Sequence, residues 1–169
     1  VLTRLQRRVT TWLAALSVVV GALAPTLSQA MVVGADRSDW LEICNLKARY
    51  CRCLDTQDWD GFAAVFTEDF ILDTSAAGGL RVEGRDAAVA YVRSSISAET
   101  FTTHHIHAPE IEVKGHTATG IWAMQDRNIW PTGRKLLGFG HYHERYVRVA
   151  GAWRIAESKL TRINVEMSA

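Results

Sequence analysis

No run of like charge interrupts this chain. Formal net charge is +1 over 169 residues. Residues 1–30 hold Arg4, Arg7 and Arg8 and no acid. All 18 acidic and 16 of the 19 basic side chains therefore fall in residues 31–169, a net of −2. A near-neutral domain without a basic stripe has no electrostatic footprint for nucleic acid and no patch for an anionic membrane surface. Also missing are a glycine-rich phosphate loop, a Gly-x-Ser-x-Gly elbow and a His-Glu-x-x-His helix. The chemistries those motifs anchor are left without a motif. No internal repeat or low-complexity linker breaks the chain. Cysteine is scarce: Cys44, Cys51 and Cys53 share one predicted helix. Cys44 and Cys51 lie roughly 10 Å apart along its axis and Cys51 and Cys53 point about 200° apart, so neither pair suits a disulfide. With no second cysteine cluster, there is no cysteine set for zinc. The thiols read as core or near-surface groups, in keeping with a reducing compartment.

What is present starts with a basic segment, an apolar run from Trp12 to Ala24, then Pro25 and Ser28-Gln29-Ala30. That is the layout of a secretory signal, and the apolar run is too short for a comfortable membrane span. The alternative is an upstream extension, because Met31 stands directly before a complete domain. The first reading places the protein outside the cell, the second in the cytoplasm. Neither inserts the folded domain in a membrane.

The domain itself is expected over residues 36–165. A helix is predicted from Ser38, as cap, to about Asp55. Leu41, Cys44, Ala48, Cys51 and Leu54, or Trp40, Ile43, Lys47 and Tyr50, recur at three- and four-residue spacing as its inward face, and Leu46 and Tyr50 share a face with Ile43. Residues 58–66 form a short second helix, with Trp59, Phe62 and Phe66 facing inward. Phe70–Thr74 and Leu80–Glu83 are short strands around Gly78-Gly79, and a third helix runs from Arg85 to about Ser95. The period then changes. Phe101–Val113, Thr117–Trp130, Lys135–Val149 and Trp153–Val165 read as four long strands. Gly115, Pro131-Thr132-Gly133 and Ala150-Gly151 turn them. Helices followed by a long antiparallel run give an α+β domain: a curved, mostly antiparallel (mixed) sheet wrapped as a cone over three helices and enclosing an apolar pocket.

Several local sequences carry a resemblance. They are Tyr50-x4-Asp55-x2-Asp58-Trp59, Phe66-Thr67-Glu68-Asp69, Thr103-His104-His105, Ile111-x-Val113-x-Gly115-x-Thr117-Ala118, Gly140-x-Tyr142-x3-Tyr146, and Gly151-x-Trp153-Arg154-Ile155 with Arg162. Together they resemble the SnoaL-like group of the nuclear-transport-factor-2-like superfamily over about residues 36–165. That superfamily includes dehydratases, ketosteroid isomerases, polyketide cyclases, epoxide hydrolases and silent binders, so the fold alone does not set the function. Within it, Tyr-x4-Asp on the first helix plus a strand histidine is similar to the scytalone and bile-acid dehydratases. The resemblance implies a cofactor-free site in which His104 moves the proton while Tyr50 and Asp55 assist. It also implies a homodimer or homotrimer. The isomerases' general-base aspartate would fall near Thr74. Asp73 is one residue off, and a one-residue slip on a strand turns the side chain to the other face.

Dehydration of a β-hydroxy carbonyl compound needs a base, an oxyanion donor and an acid for the leaving hydroxyl. His104 suits the base or a shuttle, Asp55 its orienter, and Tyr50 the donor. Tyr50 and Asp55 diverge by about 140° on a helix, so sharing a pocket requires the helix to end near Asp55. Alternation on the strand 117–130 puts Trp122, Met124 and Asp126 on one face. Asp126 becomes an assisting acid if buried in apolar surroundings. Trp59, Phe66, Trp122, Met124, Tyr142 and Arg162 complete the expected substrate-binding set. Two rival sites are legible. One is a metal centre from His105, His107, His141 and His143, if their strands were adjacent. The other is an epoxide-hydrolase set from Asp55, Arg162 and Asp126. The leading expectation is a lyase or isomerase for a small, apolar, hydroxylated carbonyl compound of steroid, terpenoid or aromatic polyketide type. The alternative is a binding or assembly module of the same fold.

Overall fold

A computed structural model describes residues 37–169, so the signal-like segment lies outside the described residues. The chain divides into two units, Val1–Asp39 and Trp40–Ala169; of the first, only residues 37–39 are described, and they are helical. Helix α1 covers residues 37–55. Ser38 is inside it rather than at its cap, since the helix is already formed at residue 37.

The end of α1 is set by local chemistry. Gln57 takes a left-handed conformation with φ +56°. Its N–H donates to Leu54 O at 3.1 Å, and Asp58 N–H donates to Cys53 O at 2.9 Å. This is the paired Schellman closure, which uses up the last helical carbonyls. A left-handed residue other than glycine costs on the order of 1 kcal/mol. The Gln57 side chain offsets this by donating to Ser97 O and Thr100 O, at 3.0 and 3.3 Å. Asp58 then caps α2 (Trp59–Ala63) by accepting from Gly61 N–H at 2.9 Å. The second helix is shorter than the periodicity predicts. Phe66 has already entered β1 (Phe66–Asp73), and its ring stacks on Phe70 at 4.0 Å.

A single-turn 3-10 helix (Ser75–Ala77) leads to β2 (Arg81–Glu83), and α3 follows (Arg85–Ser95). The remaining strands are β3 (Phe101–Ile106), β4 (Glu110–Lys114), β5 (Thr117–Ile129), β6 (Lys135–Val149) and β7 (Ala152–Ser168). They form one seven-stranded sheet in the order β2-β1-β7-β6-β5-β3, with β4 also on β5. Every ladder is antiparallel except β1 on β7, which is parallel. The predicted single strand 101–113 is therefore two strands on the same edge of β5. Ile106 faces Met124 and Glu110 faces Ile121, so one residue is extra at the break. Pro109, which has no N–H to give the ladder, sits in that bulge. The β6–β7 turn is Ala150-Gly151, both at positive φ (+48° and +83°), as a two-residue hairpin of the primed kind demands.

The core lies between α1 and the inner sheet face. Ile43, Leu46, Tyr50 and Leu54 supply one side, and Trp122, Met124, Tyr142, Tyr146, Trp153 and Ile155 the other, with Phe62, Phe66 and Phe70 at one end. Each such side chain contributes about 1.5–3 kcal/mol on burial. Trp40 and Leu41, placed inward by spacing, are exposed. Lys47, which shares the spacing of Ile43 and Tyr50, is on the apolar face as that spacing predicts, with no solvent exposure.

Candidate active site

Asp55 is the last residue of α1. A negative charge there opposes the helix dipole, a loss of about 0.3–1 kcal/mol, so helix stability does not explain it. Its partners do. Strand β3 is one edge of the sheet, and among the described residues its outward N–H groups face no neighbouring strand. Asp55 Oδ2 accepts the His104 N–H at 2.8 Å, while Oδ1 accepts from Thr102 Oγ1 at 2.8 Å and meets His104 Nδ1 at 2.6 Å. Burial works to raise the Asp55 pKa, but the hydrogen bonds and charge of His104, with the Thr102 bond, outweigh it and hold the carboxyl below its ordinary value. An ionised Asp55 accepts only, so the Nδ1 proton stays on the ring. Nε2 is the nitrogen left for the cavity that His104 lines.

That cavity, of about 180 Å³, is bounded by Tyr50, Tyr142, His104 and Asp126, with Leu72, Val92, Ile96 and Leu160 as apolar wall. Burial, with the nearby Glu144 carboxylate, pushes the Tyr50 phenol far above its usual pKa, so it is a donor throughout the physiological range. Burial does the same to Tyr142. Behind both rings stands the Lys47 ammonium, 3.7 Å from the centre of one and 3.6 Å from the other. Lys47 Nζ is bound to Glu144 Oε1 at 2.6 Å. Ser158 Oγ donates to the same oxygen at 2.9 Å, Tyr146 OH to Oε2, and Trp122 Nε1 to the Tyr146 oxygen at 2.7 Å.

Asp126 is buried and sits opposite His104 across the β3–β5 ladder. Its carboxylate takes both prongs of the Arg162 guanidinium, at 2.5 and 2.8 Å, and not Arg127 or Arg145. Its surroundings thus include a bound guanidinium beside the apolar groups that the alternation predicts. Gly138 makes the pair possible: a Cβ there would overlap both the carboxylate and the guanidinium.

The expected residues thus sort by position. Tyr50, His104, Asp126 and Tyr142 share the cavity. Asp55 reaches it only through His104, which resolves its angular divergence from Tyr50. Arg162 stands behind Asp126. Trp59, Phe66, Trp122 and Met124 are not among the lining residues. Phe66 is locked in the aromatic cluster with Tyr50 and Phe62, Trp59 packs edge-on to Phe62, Trp122 is tied to Tyr146, and Met124 touches Arg162. Lining residues that the sequence reading missed include Asn128 and Trp130. Both continue the alternation Trp122, Met124, Asp126, which was the available signal. Thr74 also lines the cavity, whereas Asp73 is turned to Ser75, accepting from its N–H and Oγ at 3.0 and 2.6 Å.

The four-histidine metal site does not assemble. Strand β5 lies between β3 and β6, so His105 and His107 stand two strand spacings, about 10 Å, from His141 and His143. Among the described residues no three or more His, Cys, Asp and Glu side chains converge on a metal position. Nor does one arginine bridge two aspartates: Arg162 holds Asp126, while Asp55 is held by His104 and Thr102.

N-terminal helices packed on a mixed, mostly antiparallel seven-stranded sheet are the architecture of an NTF2-like domain. The SnoaL-like domain profile matches residues 35–159, and the chain belongs to that family. An uncharacterised protein of Mycobacterium tuberculosis, Rv2910c, is 26% identical over 136 residues, 79% of this chain and 91% of that one. The solved structure of Rv3472, a protein of unknown function from the same organism, is 30% identical with TM-score 0.68, covering 77% of this chain and 75% of the other. A candidate scytalone dehydratase from Novosphingobium aromaticivorans superposes with TM-score 0.73 at 20% identity, covering 81% and 92%.

Proposed function

We propose that the domain is a cofactor-free lyase, a dehydratase acting on a small β-hydroxy carbonyl compound, with the related isomerisation as its nearest variant. The observation that carries this reading is the Asp55–His104 pair, with Nδ1 committed to Asp55 and the ring lining the cavity beside Tyr50. In the forward direction His104 Nε2 takes the proton next to the carbonyl. The C–H electron pair becomes the enolate, whose oxygen Tyr50 steadies by donating its O–H. The enolate then collapses to the new C=C bond as the β C–O bond breaks. The imidazolium, stabilised by Asp55, returns its proton to the departing hydroxide and water leaves. The apolar wall excludes bulk water from these steps.

The cavity volume lies below the range of about 300–1,000 Å³ typical of ligand pockets. That favours a one- or two-ring polyketide or terpenoid fragment over a steroid. The similarity to a candidate scytalone dehydratase agrees with elimination chemistry, although at its identity it supports the fold alone. The test is turnover of β-hydroxy ketones and hydroxylated bicyclic ketones, followed by loss of water. An unchanged rate in His104→Ala would refute the assignment.

A second reading, a binding and assembly module, draws on the outer sheet. Phe101 is 73% exposed, and Ile163 is 72% exposed on β7. Sedimentation of the purified chain decides whether a homodimer or homotrimer forms. A dimer with no turnover on any carbonyl substrate would favour this reading.

A further inference from the structure

We propose that the β5–β6 hairpin is an anion site at the mouth of the cavity, and that the substrate carries a carboxylate or phosphate outside its apolar, reacting part. The inference rests on the cavity being the substrate site. Trp130 forms part of the cavity wall, and the Arg134 guanidinium is 4.6 Å from the centre of its ring. The hairpin backbone fixes that arrangement, since Trp130 N–H donates to Arg134 O and Gly133 N–H to Trp130 O, each at 2.9 Å. A guanidinium stacked on an indole keeps its in-plane N–H donors free for a planar or tetrahedral anion.

Two further cations are close in sequence but lie on the other face of the sheet: Lys135 faces Ile129 across the ladder and Arg127 is two residues back, both on the face of β5 opposite Trp130. Residues 127–135 thus carry three positive charges and no acid, in a part of the chain whose net charge is −2. None of the three makes an ion pair among the described residues. Glu166 is the one acid in the surface depression that Arg127 and Lys135 share. Elsewhere on this domain surface cations do meet acids, as Arg81 meets Glu83 and Lys114 meets Glu112. Inside the cavity the charge logic is opposite: Asp126 already occupies Arg162, so an anionic tail finds no unpaired cation there. A ligand with an apolar head and an anionic tail therefore has one favoured direction, head inward and tail on Arg134.

The experiment uses three probes of similar size: 3-phenylpropionate, 2-phenylethyl phosphate and the neutral 3-phenylpropionamide. Calorimetry on the purified chain at low salt gives their affinities. The expected result is that an anion binds about fivefold tighter than the amide, the yield of an exposed ion contact. Added salt narrows the gap, Arg134→Gln closes it, and Arg134→Lys keeps part of it. His104→Ala leaves it intact. Which anion gains more separates a carboxylate from a phosphate substrate. Equal affinities for anions and amide would overturn the anion site alone, leaving the cavity and its chemistry in place. A gap that survives Arg134→Gln and disappears in His104→Ala would overturn it by showing the anion inside the cavity. Failure of all three probes to bind would overturn it and the cavity assignment together. The dehydratase reading is judged separately, by the turnover of the His104→Ala variant.

Discussion

Two of the ion pairs that join α1 to the sheet, Lys47–Glu144 and Asp55–His104, differ in what decides the work of an ion pair. Lys47–Glu144 has no side-chain exposure at either end, and both carboxylate oxygens are filled by Lys47, Ser158 and Tyr146. Asp55–His104 keeps 21% of the aspartate side chain and 8% of the histidine side chain in contact with solvent, and one ring nitrogen is uncommitted. The first turns both carboxylate oxygens of Glu144 to partners inside the fold. The second leaves one valence over, and that remainder is what can meet a substrate. The contrast shows why charge and burial alone do not mark a site: the more buried pair is the less chemical one.

The largest expected break of the contrast is Lys47→Ala. It leaves Glu144 buried without its cation, which costs about 3–5 kcal/mol. Denaturant unfolding should show that loss, whereas His104→Ala should shift stability by no more than about 1 kcal/mol. The kinetics should reverse the order, with His104→Ala lowering kcat by about 10²–10⁴-fold. If His104→Ala unfolds the protein while Lys47→Ala spares it, the two pairs have been assigned the wrong way round.

Gly138→Ala sharpens the picture from a third pair. The added methyl displaces the Asp126–Arg162 contact, an overpacking loss of about 1–3 kcal/mol seen as a lower Tm. Weaker binding of cavity ligands should accompany it.

The smallest effect is in the acid limb. Because the folded Asp55 pKa lies below its unfolded value near 3.9, its stabilisation is present above that value. It is lost as pH falls through the folded value. Part of its side chain meets solvent, which screens the charge, so the contribution stays below about 1 kcal/mol. Asp55→Asn should flatten that portion of a stability–pH curve, and an unaltered curve would show that His104 and Thr102 do not favour the charged form.

Much of this was readable from short-range pattern. Three- and four-residue spacing marks α1, strict alternation marks β5 and β6, and glycine marks the turns. The pairing of Asp55 with His104 was reachable because the helix had to end at Asp55 for the roles to make sense. Lys47 was placed on an inward face by its spacing, but its partner was hidden, because nothing local announces a carboxylate ninety-seven positions on. The partner of Asp126 was equally hidden, since alternation tells which face a residue takes but not which of several arginines crosses it. The break at Pro109 was visible as a proline but not as a bulge, because the extra residue is defined by β5 and not by its own strand.

The parallel ladder between β1 and β7 sets a timetable for the chain. Phe66 lies beside Ile155, about ninety residues later. On a ribosome, β1 emerges early with β2 as its one available neighbour and waits for most of the domain to be synthesised. The last strand is therefore the one that closes the sheet, and such long-range pairing is slow to form. Until it arrives, β1 has an open backbone edge beside the Phe66–Phe70 cluster, the kind of surface that invites association between nascent chains.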